Sequence, residues 1–121
     1  MIKLASWNIR GMNAPYKFRE VRKAIVDYNL HLLCIVESKV NKRNIDAIKL
    51  RAIPQWEFVH NCGTNNVARV WVTWDPVVFD VVCLKRSVQT ITCKVSIRGT
   101  QICFMVTGVY GFNDRAPRYR L

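Results

Sequence analysis

Five consecutive apolar residues, Leu32, Leu33, Cys34, Ile35 and Val36, run without a break and end in a carboxylate at Glu37. An unbroken run of this length, rich in Ile, Val and Leu, predicts a strand buried on both faces rather than one facing water on alternate residues. Such a strand needs a layer packed against each side. An acid at its carboxyl end stands where open α/β folds place their ligands. A carboxylate there is costly unless cations or hydrogen-bond donors compensate it, and its oxygens are ligands that Mg²⁺ favours. Taken alone, Glu37 reads as the point where the chain re-enters water. The rest of the chain supplies the reason to read it otherwise.

The 121 residues suffice for one domain with a real core, and a hydrophobic content of 50% excludes disorder by composition. Lysine and arginine total 19 against eight acids, a formal net charge of +11. That excess predicts attraction to a polyanion, nucleic acid before an acidic membrane surface. The cysteines stand at positions 34, 62, 83, 93 and 103, an odd number with no C-x-x-C pair and no histidine placed to complete a zinc set. They read as free thiols in a reducing compartment, with Cys34 and Cys103 acting as small hydrophobes. Neither a signal-peptide core nor an apolar stretch of transmembrane length is present, so a soluble intracellular protein without structural zinc or membrane attachment is expected.

Taken in order, residues 2–7 are β-prone, and residues 8–15 form a loop by the turn chemistry of Gly11, Asn13 and Pro15. Phe18, Val21, Ile25 and Tyr28 then fall at helical spacing, with Asn29 as the stop. The buried strand follows, giving β-α-β with a parallel pair. A second helix is expected over 40–52, capped by Asn41 or Asn44, with Ile45, Ile48 and Ala52 inward and Pro54 beyond its end. From there the pattern turns to strands, at 56–60, 67–74, 77–84, 89–97 and 101–110. Ile91, Cys93, Val95 and Ile97 point inward on the fourth of these. The last, apolar on both faces, is expected to be central. The class is α+β, a βαβ start followed by an antiparallel meander.

Three strand ends carry polar residues that a core does not need: Asn8, Glu37, and Tyr110 with Asn113 shortly after it. Brought to one rim, they suit a phosphate-and-metal site. The carboxylate holds Mg²⁺, while the amide and the phenol offer hydrogen bonds to developing negative charge. Arg10 and Lys39 add positive potential nearby. Each residue also has a plain structural reading, Asn8 as a turn residue and Tyr110 as a core ring with its hydroxyl at the surface.

Ser6-Trp7-Asn8-Ile9-Arg10-Gly11 resembles the opening motif of the endonuclease/exonuclease/phosphatase superfamily. Ile35-Val36-Glu37-Ser38-Lys39 is similar to its acidic motif, and Val109-Tyr110-Gly111-Phe112-Asn113 to its tyrosine-asparagine motif. Residues 8–29 and 71–76 resemble the endonuclease domains of plant LINE-type retrotransposons. The resemblance implies a DNase I-like sandwich of two sheets flanked by helices, and cleavage of DNA phosphodiester bonds with Mg²⁺ or Mn²⁺. It also implies Glu37 and Asn8 as metal-site residues and Tyr110 and Asn113 as phosphate contacts. Val36 stands where the family has glutamine. The family's later Asp-x-Asn and Asp-His motifs have no counterpart, because Asp114 is the only acid after Tyr110 and His31 and His60 both precede it.

Residues 1–121 are therefore expected to be the N-terminal part of one such domain, truncated on its C-terminal side and catalytically incomplete alone. The second sheet is expected to be largely missing, leaving an apolar face of the first uncovered and open to self-association. The expected partner is DNA, held through its backbone phosphates, in the nucleus if the chain is a retroelement endonuclease. The alternatives are a basic nucleic-acid-binding fragment without chemistry, a retroelement relic without function, and a phosphatase of the same superfamily, which the charge excess disfavours.

Overall fold

The structure is a computed structural model that describes residues 2–63 and 66–111. Strand β1 (Leu4–Asn8), helix α1 (Pro15–Asp27) and strand β2 (Leu32–Asn41) form the expected parallel unit, in which Leu4 pairs with Leu32 and Asn8 with Val36. Pro15 opens α1, where its missing N–H costs nothing and its fixed φ suits the first turn. Phe18 and Val21 of that helix are buried, while Tyr28, just beyond it, is exposed. After a 3₁₀ turn at Lys42–Asn44, helix α2 (Ile45–Ala52) buries Ile45, Ile48 and Ala52. Strands β3 (Glu57–His60) and β4 (Val67–Trp74) complete a four-stranded sheet in the order β1-β2-β4-β3.

Strands β5 (Phe79–Arg86), β6 (Thr90–Ile97) and β7 (Cys103–Val109) do not extend that sheet. They form a second, antiparallel one in the order β5-β6-β7. The helices lie on one face of the first sheet and the second sheet on the other. β2 is thus buried on both sides, as its composition requires. Leu33 and Ile35 face the helix-side core with Phe18, Val21 and Trp71. Leu32 and Cys34 face the inter-sheet core with Val70, Val72, Phe79, Ile91, Cys93 and Val95.

Several expectations from the sequence are corrected. The helix expected from residue 40 starts at Ile45. Val40 instead continues β2, opposite Ala68 and fully buried, because this pairing buries a β-branched side chain that a first helical turn leaves wet. The stretch expected as a central strand is β7, an edge among the described residues; β6 is the central strand of its sheet. Cys103 is exposed there rather than buried. The second sheet is present as three strands, and these cover the inner face that was expected to lie bare. The uncovered apolar surface lies instead on the outside of that sheet, where Val82, Leu84, Met105 and Val109 are exposed.

The two sheets approach closely at Gly108. A Cβ there meets Cys34 Sγ at 2.6 Å and Val70 Cγ1 at 2.8 Å, closer than packed atoms tolerate. Gly108 is needed for space rather than for backbone freedom. The substitution Gly108→Ala is expected to lower unfolding stability by about 1–3 kcal/mol through overpacking, read as a lower urea midpoint. An unchanged midpoint means the sheets are not packed at this separation.

Candidate active-site rim

β1 and the apolar part of β2 run parallel, so both deliver their carboxyl ends to one rim of the sandwich. Asn8 lies opposite Val36, and Glu37 follows directly on β2. The loop after β1 is tied to the Glu37 segment by successive backbone bonds. The Ile9, Gly11 and Met12 N–H groups donate to the carbonyls of Val36, Glu37 and Ser38 at 3.0, 2.7 and 2.9 Å. Asn13 Nδ2 donates to the Lys39 carbonyl, and Lys17 Nζ to that of Ile9.

Pairing between β2 and β4 is interrupted between Val36 and Val40. Within that interruption Glu37 has φ 58° and Lys39 φ 52°, while Arg10 on the facing loop has φ 54°. Left-handed backbone at residues other than glycine costs about 1–2 kcal/mol each, and such strain gathers at sites where geometry serves something besides stability. An irregular strand also turns side chains away from the direction the pleat dictates. Here the irregularity keeps Glu37 half-buried at the rim, while Ser38 turns inward and its hydroxyl donates to the Ala68 carbonyl at 2.8 Å.

Across the rim, Val36 pairs with Val70, and Arg69 is the next residue of β4 toward the edge. The Arg69 guanidinium lies 5.7 Å from the centre of the Tyr110 ring, a cation–π distance. Tyr110 follows β7, its N–H donating to the Gln89 carbonyl at 2.7 Å and its carbonyl accepting from Gln89 Nε2 at 3.3 Å. Asn8, Glu37 and Tyr110 therefore share one end of the sandwich, and Tyr110 and Val36 pack on the same inter-sheet core. Asn113 lies outside the described residues. Exposed Arg10 and Lys39 flank the rim.

Sequence reasoning missed Asn61 and Arg69. Asn61 is buried and uses its whole amide. Nδ2 donates to the carbonyls of Ser87 and Val88, at 3.2 and 2.9 Å. Oδ1 accepts the N–H groups of Arg69 and Val70, both at 2.9 Å. It clamps β4 of one sheet to the β5–β6 turn of the other, directly behind Arg69. His31 and His60 each brace the backbone. Nδ1 of each accepts a backbone N–H, from Lys3 and Cys62 respectively. Burial, then the Arg86 charge, holds the His60 imidazole below its ordinary pKa.

One buried acceptor at the rim has no partner: Asn8 Oδ1 makes no hydrogen bond among the described residues. Buried polar atoms are nearly always satisfied, so an orphan asks for a ligand. The other orphan, Trp71 Nε1, is a donor within the helix-side core. An amide oxygen on β1 and a half-buried carboxylate one residue past the β2 partner of Asn8 make a donor set that suits a hard cation, since Mg²⁺ takes oxygen ligands and commonly uses only one or two protein carboxylates. No group of three or more His, Cys, Asp or Glu able to hold a metal occurs among the described residues.

With this geometry in view, solved structures share the architecture. The endonuclease domain of TRAS1, a telomere-specific non-LTR retrotransposon, superposes with a TM-score of 0.68 at 8% identity, over 92% of this chain and 46% of that one. The fold is that of the endonuclease/exonuclease/phosphatase proteins. A member of that family from Bacteroides thetaiotaomicron superposes with a TM-score of 0.62 at 12% identity, over 88% of this chain and 49% of that one. The chain thus spans about half the length of these two neighbours. No protein-family model matches it, and no curated protein sequence matches it significantly. No helix among the described residues is long and apolar enough to cross a membrane.

Because Glu37 has φ 58°, Glu37→Gly is expected to stabilise the fold by about 1 kcal/mol while removing the carboxylate. Urea unfolding checks this. A loss of stability means that the Glu37 side chain, not the rim geometry, holds β2 in place.

Proposed function

We propose that this chain supplies the Asn8–Glu37 part of a divalent-metal-dependent phosphodiesterase site of endonuclease type, acting on DNA. The observation that carries the reading is the orphaned Asn8 Oδ1 beside Glu37, which is itself held in left-handed backbone. Glu37 and Asn8 hold Mg²⁺ or Mn²⁺, which when bound acts as a Lewis acid on a phosphoryl oxygen. The Tyr110 hydroxyl donates to a non-bridging phosphate oxygen, its ring oriented by Arg69. Arg10 and Lys39 raise the local concentration of the polyanion. No general base for activating water stands among the described residues at this rim, so the chain alone binds without completing hydrolysis. The retrotransposon neighbour and the net charge of +11 favour DNA over a small phosphorylated substrate. The same charge supports a second reading, a DNA-binding module without chemistry, whose affinity comes from phosphate neutralisation alone.

Binding of a short DNA duplex, measured by fluorescence anisotropy across a salt series, separates the two. The first reading predicts affinity that falls with salt and is raised several-fold by Mg²⁺ over EDTA. Glu37→Ala abolishes the Mg²⁺ increment and leaves the salt slope intact, and supercoiled plasmid is not nicked. An affinity that Mg²⁺ does not raise, with wild type and Glu37→Ala alike, establishes the charge-only module.

A further inference from the structure

Five cysteines are free, and two of them face each other directly. In the β5–β6 ladder Cys83 lies opposite Cys93, just before the pairing slips between Cys83 and Lys85. Directly opposed residues of an antiparallel pair point to the same face, and non-hydrogen-bonded positions bring their side chains closest, with Cα atoms about 4.5 Å apart. The parity of this ladder can be read from its far end. The Arg98 N–H donates to the Val78 carbonyl, which makes that pair a hydrogen-bonded position. Alternating inward from it, Cys83 and Cys93 occupy a non-hydrogen-bonded one. A disulfide needs Cα atoms about 4.4–6.8 Å apart, which this pair satisfies without moving the backbone.

The two thiols differ in access. Cys93 is fully buried in the inter-sheet core, whereas Cys83 is on the edge strand and exposed to solvent. Burial, then the neighbouring Cys83, pushes the Cys93 thiol up to about 12, so Cys83 is the one that meets an oxidant first. The other cysteines lack such a partner. Cys34 lies across the inter-sheet core and also bears on the Cys93 thiol, but it is buried, so neither member of that pair meets an oxidant first. Cys103 faces Ser96 across its ladder, and Cys62 lies in the segment after β3.

We infer that Cys83 and Cys93 form a peroxide-oxidisable dithiol, closing to a cross-strand disulfide that staples the β5 edge to the central strand β6. Cys83 Sγ attacks hydrogen peroxide: the S–O bond forms, the O–O bond breaks, and the leaving hydroxide takes the thiol proton as water. Cys93 Sγ then attacks the sulfenic sulfur. The S–S bond forms, the S–O bond breaks, and the second hydroxide leaves with the Cys93 proton. Two thiols and one peroxide give one disulfide and two waters.

The test is brief oxidation of the folded chain with hydrogen peroxide, then alkylation of remaining thiols under denaturing conditions and mass spectrometry. Of five thiols three should alkylate, and trypsin should yield residues 70–85 joined to residues 87–94. The join reverses with dithiothreitol, is lost in Cys83→Ser and in Cys93→Ser, and persists in Cys34→Ser. The oxidised chain should also melt at a higher temperature than the reduced one. Cys83 carried to sulfinic acid, or joined to Cys62, Cys103 or a second chain while Cys93 stays alkylatable, overturns the inference.

Discussion

β2 must be covered on both faces, and the rest of the fold answers that demand. Leu33 and Ile35 require the helix layer, and Leu32 and Cys34 require the second sheet. A strand of this composition with one face wet loses on the order of 1.5–3 kcal/mol per large side chain left exposed. The chain therefore lays three strands over β2 and β4 rather than leaving a bare sheet. The cost is moved outward, to the far side of β5–β7, where Val82, Leu84, Met105 and Val109 meet solvent. Closeness between the layers depends on Gly108, which lets the backbone of β7 come down onto Cys34 and Val70.

The same two-layer arrangement builds the rim. β1 and β2 contribute Asn8 and Glu37 from the first sheet, and β7 leads to Tyr110 from the second. The rim therefore comes together only if the sheets are held in register. Asn61 does this with four hydrogen bonds that reach both layers, and Arg69 completes the bridge through the Tyr110 ring. Against these satisfied groups, the strained backbone at Arg10, Glu37 and Lys39 and the unpartnered Asn8 Oδ1 stand out. They sit where the two loops meet. Three strained residues and an orphaned acceptor gathered at one rim are local costs that the fold's own stability does not explain.

Much of this was legible in the residues. The two-faced strand, the alternation of β6 with Ile91, Cys93 and Val95 inward, and the inward Ile45, Ile48 and Ala52 of α2 follow from hydrophobic period alone. The irregularity at residues 37–39 was not legible, because Glu and Lys give no sign of positive φ and no glycine marks the place. Val40 then read as a helix start, when its pairing with Ala68 decides otherwise. Nor does period tell which sheet a strand joins. β7 is apolar on both faces yet lies on an edge, since a pattern reports what a strand can bury and not whether a neighbour is there to bury it. Asn61 was hidden for a different reason: a loop asparagine near Gly63 reads as turn chemistry, and its four partners are distant in sequence. Of the four candidate site residues, Asn8, Glu37 and Tyr110 converge on one rim, and Asn113 lies outside the described residues.

On the proposed reading, Asn8 and Glu37 hold a divalent cation at this rim. Mn²⁺ titrated into isotopically labelled protein tests it most directly, because the paramagnetic ion broadens only the nuclei near it. A cation held by Asn8 and Glu37 gives selective loss of the Asn8 side-chain amide and of the backbone signals of residues 8–11 and 36–39 at low Mn²⁺, with the far end of the sandwich unaffected and the effect absent in Glu37→Ala. Broadening scattered over surface acids, or a rim untouched while other sites saturate, contradicts it.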